Sequence, residues 1–97
     1  MTKRELAVRI AEETGLTQVA VKEVVQKFLD YIVDELAAGR SVEFRNFGVF
    51  ETVYRKPRMG RNPRFPEQEV EIPGRYVAHF KPGKIMKARI GRRVPRA

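Results

Sequence analysis

The chain has no cysteine, no tryptophan and a single histidine, His79. Without cysteine there is no disulfide framework and no thiolate metal site. The single histidine has no acid–base partner in a plausible pocket, and neither metal-ligand spacing nor a Gly-rich phosphate loop is present. No apolar run approaches the ~20 residues of a membrane span. The opening MTKRELAVRIAEE lacks the apolar core of a secretory signal, so a soluble, cytosolic type of protein is expected. At 97 residues the chain reads as one domain, near the lower limit for burying its own core.

What is abundant is positive charge. Lys and Arg total 20 against 12 acidic residues, a net charge of +8. Residues 1–40 carry six basic and seven acidic side chains, whereas residues 41–97 carry fourteen and five. An imbalance confined to one half marks a polyanion-binding face. Nucleic acid fits that face better than a membrane surface does, since the basic half has no amphipathic helix of useful length.

Thr2 and Glu5 form a capping box for a first helix, whose apolar stripe is Leu6, Ala7, Ile10 and Ala11 and whose stop is Gly15. Thr17 caps a second helix. There Val21, Val24, Val25, Phe28, Leu29, Ile32, Val33 and Leu36 follow the helical period without a miss, and Gly39 closes it. The period then falls to two. Val42 and Phe44 alternate with Glu43 and Arg45, Asn46-Phe47-Gly48 makes a tight connection, and Val49 to Arg55 is a second strand. Alternation resumes from Val70 and Ile72 to Phe80, broken by Pro73-Gly74, and a short helix follows Lys81-Pro82-Gly83-Lys84 up to Gly91. The tail RRVPRA is basic and expected to be loosely ordered.

Between Tyr54 and Ile72 lie 19 residues, too many for an ordinary loop in a compact domain. As two strands running out and back they become an arm, reaching roughly 33 Å. Its outgoing half is strongly basic: Arg55, Lys56, Arg58, Arg61 and Arg64 fall within ten positions with no acid among them. Setting the arm aside leaves 78 residues, and their apolar side chains exceed what so small a monomer can cover. A dimer sharing one core resolves the excess, with Phe28, Leu29, Ile32, Phe44, Phe47, Phe50 and Phe80 in that core. The aromatic side chains are expected to alternate inward, leaving only Phe65 exposed.

Three separated motifs, "FRNFGVF", "GRNP" and "HFKPGK", stand in the order and spacing of the bacterial HU and integration host factor family, which the chain resembles from Thr2 to about Ile90. "YRKPRMGRNP" and "GRYVAHFKPGK" resemble the integration host factor branch more. The resemblance implies an α+β fold: an intertwined dimer with an α-helical base, a three-stranded antiparallel saddle, long β-arms and a short C-terminal helix. On that plan residues 1–40 form the base, 41–80 the sheet and arm (arm about 54–72), 81–91 the helix and 92–97 a basic tail. It implies an architectural protein, not an enzyme, that bends double-stranded DNA and organises the nucleoid. Its partners would be DNA and a second subunit, identical or paralogous, with no cofactor, metal, membrane or small-molecule substrate.

The tip proline that the family wedges between base pairs matches Pro63. General accounts of minor-groove wedging already count this family among their examples, so they lend no independent support. Arginine suits a narrow, electronegative groove, which gives roles to Arg55, Arg58, Arg61 and Arg64, with Lys56 beside them. Asn62 can donate to base acceptors or serve turn chemistry. Gly60 would let the backbone turn close to the sugars. Lys84 and Lys87 match phosphate contacts, with Lys3, Arg45 and Lys81 as additions. Where the family usually continues from "GRNP" with a residue and Thr-Gly, this chain has Arg64-Phe65-Pro66-Glu67 and is one residue longer, so its tip turn differs. Phe65 either folds back on Met59 or Pro66 or extends the wedge beside Pro63.

An RNA-binding protein would show aromatic side chains on an open sheet face. A pure dimerisation module would not need the arm. An enzyme would need an acid–base pair that His79 alone does not provide; beside Phe80 that residue reads as structural.

Overall fold

The computed structural model describes residues 1–93, which form two compact units, Met1–Ala38 and Gly39 onward. The protein is α+β, with helices and antiparallel strands in the order helix, helix, five strands, helix.

The first unit is a helical pair, α1 (Lys3–Thr14) and α2 (Gln18–Ala37). The Thr2 hydroxyl accepts from the Glu5 N–H at 3.2 Å and Thr17 accepts from Ala20 N–H at 3.1 Å, each satisfying an orphan donor of a helix start. Gly15 ends α1 with φ 75°, and its N–H donates to the Ala11 carbonyl. Gly39, with φ 81°, follows α2. Ala7, Ala11 and Val21 form the buried contact, flanked by Ile10 and Val25. The small side chains on α1 let the two helices approach closely.

Most of the α2 stripe is left uncovered. Val24 is 66% exposed, Phe28 50% and Val33 63%, while Ile32 is buried. Twenty helical residues make α2 about 30 Å long, against a partner of only twelve.

The second unit holds two sheets. Strands β1 (Val42–Phe44), β2 (Gly48–Arg55) and β5 (Arg75–Pro82) form an antiparallel sheet in the order β1-β2-β5. Strands β3 (Arg58–Asn62) and β4 (Phe65–Ile72) form a separate two-stranded ribbon, the expected arm. Pro57 and Pro73 stand where the sheets part, and neither has an N–H to continue the ladder. Helix α3 (Lys84–Gly91) follows β5. The sheet thus continues to Pro82, two residues past the expected end, because Lys81 and Pro82 still pair with Val49 and Gly48.

Asn46 turns the chain between β1 and β2 with φ 65°, a left-handed conformation that asparagine tolerates. Phe47 donates its N–H to the Phe44 carbonyl and accepts from Gly83 N–H at 2.7 Å, which ties the turn to the start of α3. Four rings gather there: Phe50–Phe80 centroids are 4.7 Å apart, Phe47–Phe80 5.6 Å, and Phe44 lies 6.3 Å from both Phe47 and Phe50. The expectation that only Phe65 is exposed is incorrect. Phe47 is 48% exposed, and Tyr31, Tyr54 and Tyr76 are more so.

Gly48 sits at the crowded end of this cluster. A Cβ there would come within 2.6 Å of both the Lys81 carbonyl oxygen and the Phe80 ring. Gly48→Ala is expected to destabilise by about 1–3 kcal/mol, since backbone on one side cannot yield. Thermal unfolding would show it as a lowered midpoint, and an unchanged midpoint would refute the packing argument.

Candidate nucleic-acid interface

Pairing between β2 and β5 sorts the sheet's side chains onto two faces. Phe50↔Phe80, Thr52↔Ala78 and Tyr54↔Tyr76 share one, and Val49↔Lys81, Glu51↔His79, Val53↔Val77 and Arg55↔Arg75 share the other. The first is the aromatic face. The second is cationic at its Arg55–Arg75 end; Glu43 of β1 joins it opposite Val49, and its other acid is Glu51. Lys81 bonds that acid at 3.1 Å but is 62% exposed, so the pair contributes little stability and leaves the ammonium accessible.

Two residues of this face were missed in the sequence, Arg75 and His79. Each is exposed, and His79 lies across from Glu51 on the charged face rather than among the rings. The signal was present in principle. Counting by twos down from Lys81 reaches both, but only the register reveals that Arg55 and Arg75 meet.

The arm also has two faces. Arg58↔Ile72 and Gly60↔Val70 share one, and Met59↔Glu71 and Arg61↔Glu69 the other. Gly60 is not at a turn. It lies within β3, where a Cβ would come 2.8 Å from the Ile72 Cδ1, so the glycine makes room for Ile72. The returning strand adds Glu67, Glu69 and Glu71, which offset part of the charge of the outgoing one.

The tip is a two-residue turn, Pro63-Arg64, between paired Asn62 and Phe65. The Asn62 Oδ1 accepts from the Arg64 N–H at 3.0 Å, so this side chain performs the turn chemistry and keeps its amide NH₂ for other partners. Register shifts between Arg61 and Asn62: Arg61 pairs with Glu69 but Asn62 with Phe65. Pro66, Glu67 and Gln68 are the residues left over, and they absorb the extra length. Pro63, Arg64 and Phe65 are all exposed, Phe65 by 55%.

The remaining candidates are dispersed. Arg55 ends β2 and Lys56 lies in the link to the arm. Arg45 is exposed in the β1–β2 turn. Lys84 and Lys87 occupy the first turn of α3, whose N-cap Gly83 offers no side-chain acceptor. Lys3 belongs to the helical unit, and its Nζ donates to Gln26 Oε1 at 2.6 Å, while Gln26 in turn donates to Asp30. Of the tail, Arg92 and Arg93 are exposed, and residues 94–97 lie outside those described.

A two-helix unit, a three-stranded sheet with one cationic face and a ribbon tipped by proline define a class, the small histone-like DNA-binding proteins. The family model described as "Bacterial DNA-binding protein" matches residues 1–91, and the chain belongs to that family. Integration host factor subunit beta of Vibrio cholerae is 44% identical over 91 residues, covering 93% of this chain and 98% of the relative. The same subunit of Edwardsiella ictaluri is 46% identical over 90 residues, covering 92% and 95%. Among solved structures, the Anabaena HU–DNA cocrystal structure superposes with a TM-score of 0.89 at 33% identity, over 96% of this chain and all of that one. HU from Thermotoga maritima gives 0.65 at 30% identity, covering 93% and 98%. Within the HU and integration host factor family, the chain stands on the integration host factor side.

Proposed function

We propose that the protein is an architectural dimer that binds double-stranded DNA, lays its β3–β4 arms in the minor groove and bends the duplex by wedging Pro63 between base pairs. The observation that carries this reading is the tip itself: an exposed proline at the apex of a ribbon, with Asn62, Arg64 and Phe65 around it. Proline offers a rigid apolar surface without an N–H, so its insertion strands no donor among the bases. Arg58, Arg61 and Arg64 follow the groove with Asn62 and Gly60, while Phe65 extends the apolar surface beside Pro63. Arg45, Arg55, Lys56, Lys81, Lys84, Lys87 and Lys3 contact backbone phosphates, which fix position without reading sequence. A second copy, identical or paralogous, covers the open α2 stripe and the half-exposed Phe47. This function belongs to the bacterial nucleoid, where a bent duplex compacts the chromosome and assists transcription, replication or recombination complexes. It requires no cofactor.

The test is Pro63→Ala in a duplex labelled with dyes at both ends. The expected result is a clear loss of end-to-end energy transfer with affinity for straight duplex weakened by only about 1–2 kcal/mol, since the phosphate contacts persist. A variant that bends DNA as strongly as the parent would remove Pro63 from the mechanism.

A further inference from the structure

We infer that Arg55 and Arg75 together form a clamp for one backbone phosphate at the root of the arm. This rests on the DNA-bending reading and adds to it a residue, Arg75, and a defined ligand group. The two arginines are direct cross-strand partners, the last pair of the β2–β5 ladder. Side chains so placed have Cβ atoms only ~4.5–5.5 Å apart, and like charges there destabilise a sheet. Both are exposed, and neither has an ion-pair partner among the described residues. The nearest acid on their face, Glu51, lies two pairs away and is engaged by Lys81.

The position is nevertheless held firmly. On the opposite face the adjoining pair, Tyr54 and Tyr76, is in ring contact at 5.3 Å. Tyr54 also reaches across the Gly74 Cα, where any Cβ would overlap its hydroxyl, and Pro57, in the link between β2 and β3, closes in on the same point. Two guanidinium forks carried on one cross-strand pair, each without a carboxylate, suit a phosphate that accepts from both. Bound anion converts the like-charge repulsion into attraction, so the pair costs stability in the free protein and returns it in the complex.

The experiment is Arg75→Glu, with Arg75→Gln beside it, in the full chain. Each is melted without DNA at low salt, and each is titrated with labelled duplex across a salt series. Arg75→Glu places an acid opposite Arg55, so its melting temperature is expected to rise above the parent's. Its binding is expected to weaken, with a log K against log salt slope shallower by about 2 for the dimer, one phosphate per subunit. Arg75→Gln is expected to melt no lower than the parent and to lose slope in the same direction. A lowered melting temperature in both variants, or a parental slope in Arg75→Glu, would overturn the clamp. Should the parent itself bind with a slope shallower than about −2, the DNA reading fails and the clamp with it. A steep parental slope left unchanged by the variants refutes the clamp alone.

Discussion

Phe47→Ala is expected to cost about 3–5 kcal/mol and to convert a folded, associated protein into largely unfolded chains at low micromolar concentration. The magnitude depends on what covers the ring. In the single chain Phe47 touches Phe44 and Phe80 yet is 48% exposed, and Ile85 and Ile90 near it on α3 are also open. Truncating a half-wet ring removes less buried surface and would cost only about 1–2 kcal/mol. The full value arises when a second copy seals the ring, as it would seal Val24, Phe28 and Val33 on α2. Urea unfolding at several protein concentrations measures the cost, and sedimentation measures the assembly. A parent that sediments as a folded monomer at low micromolar concentration contradicts the shared core.

The second large effect is the response to salt. If the dimer neutralises roughly six to ten phosphates, log K falls against log salt with a slope near −5 to −9. Raising salt from about 50 to 200 mM then weakens binding by ~10³–10⁵ fold. Anisotropy titrations over that range would measure it. Most of the slope should survive a change of duplex sequence, because phosphate contacts carry little sequence information. A slope shallower than about −2 would mean that the cationic face does not follow the backbone.

The helices were legible because their signals are local. Thr2, Thr17, Gly15 and Gly39 each act within one turn, and each occupies the capping place its residue type favours. The sheet was legible through alternation, and the arm through the length of chain it had to absorb. Harder to read were features fixed by pairing. Pro66, Glu67 and Gln68 show no period that would reveal a shifted register. Gly60 reads in the sequence as a place for the backbone to turn, because nothing near it announces Ile72 as its neighbour. Arg75 looks like an isolated surface charge until β5 is aligned with β2. The exposed aromatic residues were missed for another reason. Alternation says which face a side chain takes, not whether one chain suffices to cover it.

The arm is a ribbon of two strands, so each strand turns one row of backbone N–H and C=O groups outward with no neighbour to take them. Such edges invite strand addition from another copy. Composition opposes this at every approach. Two β4 edges brought together would align Glu67, Glu69 and Glu71 with their counterparts, and two β3 edges would oppose arginine to arginine. A β3 edge meeting a β4 edge would match opposite charges, but Pro66 lacks a donor and the surplus residues beside it spoil the spacing. An irregular tip of this kind disfavours edge-to-edge pairing. Regularising it by deleting Pro66-Glu67-Gln68 would give a smoother hairpin and, by the same act, a stickier one.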